Sequence, residues 1–377
     1  MPPLRPLLVF GTRPEAIKMA PVVHACRDHA DVAPVVCLTG QHREMLAQVN
    51  DYFGVTGDVD LELMTANQTL ASLTARCITG LDKTIERIRP DCVVAQGDTT
   101  TVMAASVVAF YRRTPFVHVE AGLRTGDLYQ PWPEEFNRRV TSLVTGLHCA
   151  PTPRAADNLL AEGCAAHAVH VTGNTVIDAL MYAVERERAR AQTYEASAEL
   201  KPIVGKRMVL ITGHRRENFG GGFERICDAI AELADRFPEV AFVYPVHLNP
   251  NVQGPVNMRL GGRGNVLLLA PKPYPEFVWL MDRATLILTD SGGVQEEAPS
   301  LRKPVLVMRE TTERPEAVDA GAVELVGTDT ARIVSQVSLL LTDEAEYARR
   351  QIEENPYGDG KAASRIVSLM LTQDWRK

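Results

Sequence analysis

Several absences in this 377-residue sequence narrow its function before any motif is considered. No stretch approaches the roughly 18 apolar residues of a membrane-spanning helix. The longest candidate, Thr101 to Tyr111, contains Ser106 and runs into Arg112 and Arg113. The opening MPPLRPLLVFG has one basic residue and a very short apolar run, so it reads as a first strand rather than a signal peptide. There is no excess of positive charge. The formal net charge is −7, which gives no general attraction for nucleic acid. Local amides and arginines can still bind a phosphate in such a chain. The seven cysteines form no Cys-x-x-Cys pair, as expected of reduced thiols in the cytoplasm. The nucleotide P-loop, the dinucleotide fingerprint Gly-x-Gly-x-x-Gly and the Gly-x-Ser-x-Gly elbow are all missing. ATP hydrolysis, nicotinamide chemistry and serine hydrolysis therefore lose support. His167 and His170 lie three apart without a neighbouring acid in a zinc arrangement, so no metal site is expected.

What is present is a rhythm of short apolar runs, each followed by a loop and a helical stretch. Leu7–Phe10, Val35–Leu38, Cys92–Ala95 and Phe116–Val119 are the first four runs. Met208–Thr212, Ala241–Pro245, Val266–Leu269, Leu286–Leu288 and Val305–Val307 repeat the pattern. Continuously apolar strands alternating with helices predict parallel sheets covered on both faces. The expected fold class is α/β, with two Rossmann-like doubly wound parallel-sheet domains facing across a cleft. The expected domains are residues 1–175 and 176–360, with a C-terminal helix, 361–377, packing back on the first. A long charged helix from Asp178 would connect them.

In such sheets ligands bind beyond the carboxyl ends of the strands. Most of the unusual polar residues here lie at those ends, which predicts one shared site. Gly11 to Lys18 follows the first strand, and free amides there, with Arg13 and Lys18, suit a phosphate. An ordinary strand-to-helix turn explains the same residues. Asp290 to Glu297 follows a strand in the second half. There Ser291 suits an N-cap, Gly292 and Gly293 permit close approach to the backbone, and Glu297 can accept from ribose hydroxyls. A capped helix is the plainer alternative. His214, with Arg215 and Arg216, ends another buried strand and suits an anion or proton transfer. Asp98 and Glu120 end neighbouring strands, and Glu134 follows in a loop rich in Pro and Trp. Carboxylates gathered in one site suit proton transfer, whereas capping and surface charge explain them otherwise.

The runs GTRPEAIKMAP, QGDTTT, HVEAGLRTGD, PWPEEFNRR, TGNTVID, GHRREN, DSGGVQEEAPSLRKPVLVMRETTERPEA and NPYGDG, in that order, resemble the non-hydrolysing UDP-N-acetylglucosamine 2-epimerase family. The match runs from the first strand to the final helix. The resemblance implies a glycosyltransferase-B-like fold, a homodimer, no cofactor, and interconversion of UDP-GlcNAc and UDP-ManNAc for surface polysaccharide synthesis. It implies that Asp98, Glu120 and Glu134 are the carboxylates at the reacting sugar, and that His214, also catalytic, helps to stabilise the diphosphate and the charge on departing UDP. It implies that Arg13, Lys18, Phe277, Ser291, Gly292, Gly293, Glu297 and Arg314 bind UDP. Gln41, Arg216 and His247 correspond to a second nucleotide-sugar site of some relatives, beside which Glu44 and Asn67 depart from the activated members. Four rival readings remain at this point: an epimerase for UDP-diacetamido-uronic acids, a hydrolysing epimerase that releases ManNAc and UDP, a glycosyltransferase, and a silent UDP-sugar sensor.

Overall fold

The computed structural model describes residues 2–40, 43–63, 65, 68–195 and 197–375, with the side chains of 43–45 excepted. Gln41 and Asn67 lie outside the described residues. The chain divides into two compact units. Unit 1 holds the residues up to Ala179 together with those from Tyr357 onward, and unit 2 holds Leu180–Pro356.

Among the described residues, unit 1 carries seven strands: β1 (Pro6–Phe10), β2 (Val35–Leu38), β3 (Val59–Asp60), β4 (Cys92–Gln96), β5 (Phe116–Val119), β6 (Leu147–Ala150) and β7 (Val169–Val171). Their order in the sheet is β3-β2-β1-β4-β5-β6-β7, and every pairing is parallel. Unit 2 carries β8 (Met208–Thr212), β9 (Ala241–Pro245), β10 (Val266–Leu269), β11 (Leu286–Thr289), β12 (Val305–Val307) and β13 (Val323–Leu325). Their order is β10-β9-β8-β11-β12-β13, again all parallel. Both sheets are doubly wound. Each reverses direction once, between β1 and β4 in unit 1 and between β8 and β11 in unit 2.

Burial explains the sequence pattern. All of β1 and β4 are buried, as are the first four residues of β8. The central strands are therefore covered on both faces and read as unbroken apolar runs. In unit 1 Leu7, Val9, Val93, Ala95 and Phe116 pack with Leu73, Leu81 and Val102 from helices. In unit 2 Val209, Ile211, Phe242, Leu286 and Leu288 pack with Phe223, Ile226, Ile230 and Ile333. The helices start on local signals. Thr12, Thr99 and Thr152 each accept a backbone amide with the side chain at an N-cap, and Pro153 follows Thr152. The last helix, Ala362–Thr372, packs on the first, Arg13–Arg27, with Ile366, Val367 and Met370 buried.

Candidate active site

The strand order of unit 1 places two loops at its switch point, Gly11–Thr12 after β1 and Gly97–Asp98 after β4. Glu120 follows β5, the next strand along. The amides of Gly11 and Thr12 are not free for a phosphate, contrary to the expectation from sequence. Both donate to Glu15 Oε2, at 2.8 and 2.7 Å. Glu15 Oε1 accepts from Thr99 Oγ1 at 2.5 Å, so one buried carboxylate ties the two loops together. Burial raises its pKa, and the bonds from Thr99, Gly11 and Thr12 oppose that rise. This capping box has closed the loop on itself.

Glu120 is buried and has φ +63°, the left-handed region that side chains other than glycine seldom occupy. Such a conformation costs on the order of 1–3 kcal/mol and persists only where the surroundings over-determine it. Those surroundings are explicit. Lys18 Nζ lies 2.7 Å from both carboxylate oxygens. Gln96, the last residue of β4, donates to Oε2. Asn174 Nδ2 donates to Oε1 at 3.2 Å. Lys18 thus neutralises the carboxylate while the two amides fix its orientation.

Asp98 is held from one helix. Arg138 reaches Oδ2 with Nη2 at 2.7 Å and Nε at 3.0 Å, and Asn137 Nδ2 donates to the Asp98 carbonyl at 2.8 Å. Arg138 also meets the wholly buried Glu135, at 3.2 Å. Glu134 is the first residue of the same helix, Glu134–Val144. Its Oε2 is shielded from solvent and has no hydrogen-bond partner. A carboxylate there gains from the helix dipole, yet one oxygen remains an unused acceptor. Arg13, half-buried, opens the helix that bears Lys18.

In unit 2 the switch point joins the loop after β8 to the loop after β11. Asp290, fully buried, organises it. Its Oδ2 accepts the amides of His214 at 2.9 Å and Arg215 at 2.8 Å, and Asn218 Nδ2 at 3.4 Å. Its Oδ1 has no hydrogen-bond partner and sits 3.5 Å from His214 Nδ1. His214 stacks on His247 with ring centroids 5.4 Å apart. Desolvation lowers the pKa of His214; Asp290 opposes this, and His247 and Arg215 add to it. His247 Nδ1 accepts from the amide of Asn249 at 3.1 Å, which leaves Nε2 as its proton-bearing nitrogen when neutral. Arg216, two residues after His214, is exposed.

Ser291 occupies the N-cap position of the helix Gly292–Glu297, but its hydroxyl makes no capping bond. That differs from the sequence expectation. A Cβ on Gly292 would lie 3.8 Å from its nearest neighbour, Arg215 Nη2. A Cβ on Gly293 would lie 3.8 Å from Glu297 Oε2. Both distances are ordinary contacts, and neither residue has a positive φ, so the fold itself does not require glycine at either position. Glu297 Oε1 accepts from Tyr274 Oη at 3.1 Å, and Phe277 lies half-buried on the helix that Tyr274 begins. Arg314 pairs with the buried Glu296, and Thr312 donates to Gln295 at 2.7 Å. These bonds tie the segment 312–314 to that short helix.

Unit 1 therefore gathers Lys18 with Glu120, and the helix that Glu134 begins holds Asp98 through Asn137 and Arg138. Unit 2 gathers His214, His247, Ser291 and the glycine pair around Asp290, with Glu297 and Arg314 on the adjoining helix. Sequence reasoning did not single out Glu15, Gln96, Arg138, Asn174 or Asp290 as site residues. Each is a polar residue in a quoted motif, and a buried polar group at a strand end must find a partner. That is the signal that could have found them.

Two doubly wound parallel sheets with ionisable groups at their switch points place the chain in the glycosyltransferase-B-like class of α/β enzymes. The family model described as UDP-N-acetylglucosamine 2-epimerase matches residues 24–371. A curated UDP-N-acetylglucosamine 2-epimerase of Yersinia pestis is 54% identical over 371 residues, covering 97% of this chain and 98% of the relative. The enzyme of that name from Escherichia coli K12 is 53% identical over 369 residues, with the same coverage. The crystal structure of UDP-GlcNAc 2-epimerase from Neisseria meningitidis bound to UDP-GlcNAc is similar, with a TM-score of 0.90 and 48% identity over 98% of this chain and 100% of that one. The chain belongs to the UDP-N-acetylglucosamine 2-epimerase family, a family of isomerases.

Proposed function

We propose that this enzyme interconverts UDP-GlcNAc and UDP-ManNAc by eliminating UDP and adding it back to 2-acetamidoglucal held in the site. The observation that carries the reading is the set of three differently held carboxylates in unit 1: Glu120 against an ammonium, Asp98 against a guanidinium, and Glu134 with an open oxygen. The hydrogen on sugar carbon two is not next to a carbonyl and is not acidic. As the anomeric C–O bond to UDP breaks, positive charge develops on the neighbouring carbon and acidifies that hydrogen. A carboxylate takes the proton, the C–H electrons form the C1–C2 double bond, and UDP leaves with the C–O electron pair. A proton returned to the opposite face and re-addition of UDP complete the reaction. The chemistry needs acid and base groups on two faces and a fixed cradle for departing diphosphate charge.

In this reading Asp98, Glu120 and Glu134 handle the protons. Arg13, Lys18, His214, Ser291, Gly292 and Gly293 hold the diphosphate. Glu297 takes the ribose hydroxyls, and Phe277 and Arg314 hold the UDP portion. The glycine pair supports this assignment, because an external ligand accounts for two glycines that internal packing does not need. Arg216 and His247 belong to a second nucleotide-sugar site. A second copy of the chain covers the exposed Phe110, Tyr111, Phe136 and Leu143 of two helices that pack together, giving a homodimer. Light scattering that returned a monomer mass would remove that part. Seven unpaired cysteines suit a reducing compartment such as the cytoplasm. Among the described residues no helix is long and apolar enough to cross a membrane.

The test is incubation with UDP-GlcNAc in deuterated water, followed by NMR. UDP-ManNAc bearing deuterium at carbon two is the expected product. Free ManNAc would mean that water reaches the intermediate. An unchanged substrate would exclude the reading.

A further inference from the structure

The segment NPYGDG lies far along the chain from every group assigned above, and the proposed chemistry gives it no task. The structure places it beside one of those groups. The carbonyl of Tyr357 accepts the Asn174 amide at 2.7 Å. Tyr357 is buried, and Gly358 has φ +137°, a conformation that residues with a side chain seldom adopt. A Cβ on Gly358 would meet the Asn174 nitrogen and the Gly173 Cα, each at 3.4 Å. Asp178 accepts the amides of Ala362 and Ala363, at 3.2 and 2.8 Å, and fixes the same junction from the other side.

Asn174 is 1% exposed. Its Oδ1 accepts the Val176 amide at 3.0 Å and its Nδ2 donates to Glu120 Oε1 at 3.2 Å. With its own amide on Tyr357, both ends of the side chain and the backbone are engaged. An aspartate has the same size and would keep the acceptor for Val176. It would turn a donor into an oxygen facing the Glu120 carboxylate. Gln96 also orients Glu120, but it sits on β4 and takes no part in the contact with the C-terminal segment.

We infer that Asn174 is a positioning residue for Glu120, held in place by the Tyr357–Gly358 turn. This rests on the proposed proton-transfer role of Glu120. Its function is to set the direction of the carboxylate lone pairs, so its loss should act on turnover and leave nucleotide binding alone. Losing one charge-assisted hydrogen bond that orients a reacting group predicts a fall in kcat of about 10- to 100-fold.

The experiment compares wild type, Asn174→Asp, Asn174→Ser and Gly358→Ala for kcat and KM with UDP-GlcNAc, UDP affinity by calorimetry, and melting temperature. Ser keeps a hydroxyl able to cap the following helix but cannot reach Glu120. A reduced kcat with unchanged UDP affinity in folded Asn174→Asp or Asn174→Ser is expected, with a smaller effect of the same kind in Gly358→Ala. A folded variant at position 174 with wild-type kcat would overturn the inference. So would failure of both to fold, which would make the role one of stability. Inactive wild-type enzyme would instead refute the epimerase reading itself.

Discussion

At Glu120 the backbone adopts a conformation unfavourable to a glutamate, and three side chains keep the carboxylate there. That investment of structure in one carboxylate makes it the residue whose chemistry can be tested most directly. Glu120→Gln keeps the shape and removes the ability to take a proton. Epimerisation measured by NMR should fall by about 10²- to 10⁴-fold, the usual share of a general acid or base, while calorimetry finds UDP affinity unchanged. A variant that still epimerises at the wild-type rate would displace Glu120 from the reaction. The sequence already placed Asp98, Glu120, His214 and Ser291 at strand ends, because a continuous apolar run followed by a polar residue marks a strand terminus. It did not reveal what each one touches. The pairing of Lys18 with Glu120 joins residues 102 apart, and Arg138 reaches Asp98 across 40. Such partners are set by strand order, which a single sequence does not display. The capture of the Gly11 and Thr12 amides by Glu15 was more accessible, since Thr-x-x-Glu is the sequence form of a capping box.

Among the secondary-structure elements, two glycines with opposite surroundings separate ligand from fold. Gly293 lies in a helix with ordinary space around its missing side chain. Gly293→Ala should leave urea stability unchanged or raise it by up to about 1 kcal/mol, because alanine is the better helix former. Its UDP affinity should fall, because a methyl group then stands where the diphosphate approaches. Unaltered affinity would argue against a phosphate at that helix. Gly122 follows β5 at φ +93°, and a Cβ there would fall 2.1 Å from the Ala155 carbonyl oxygen. Gly122→Ala must move backbone and should cost on the order of 3 kcal/mol in the same titration. An unshifted midpoint would contradict the packing of helix Pro153–Ala161 on that loop. The elements themselves were unevenly legible. The central strands are buried and announce themselves as apolar runs. The short strands β3, β6, β7 and β13 read VD, LHCA, VHV and VEL, and their polar residues break the pattern. In β6 that residue is the buried His148, whose neighbour across the sheet is another buried histidine, His118.

That histidine pair affects the stability of the whole molecule. Burial lowers His118 to about 4 and His148 to about 3, against about 6.5 for a free imidazole. Between those values the unfolded chain binds protons that the folded one refuses, so stability rises with pH. The contribution is complete above about pH 6.5 and is lost as the pH falls toward 4 and then 3. At pH 5 each histidine should have withdrawn on the order of 2 kcal/mol. Urea midpoints at pH 7.5 and 5 measure this, and His148→Leu should flatten the dependence. A wild-type midpoint equal at both pH values would mean that the two rings are not held neutral. Unit 1 is also discontinuous, built from the residues up to Ala179 and those from Tyr357 on. Synthesis runs from the amino end, so the ribosome must complete every residue of unit 2 before it delivers the turn on which Asn174 rests and the helix that covers Arg13–Arg27. Any chain released early lacks that support, however complete its sheets. Completion of the proposed catalytic carboxylate's setting thus waits on the translation of all of unit 2.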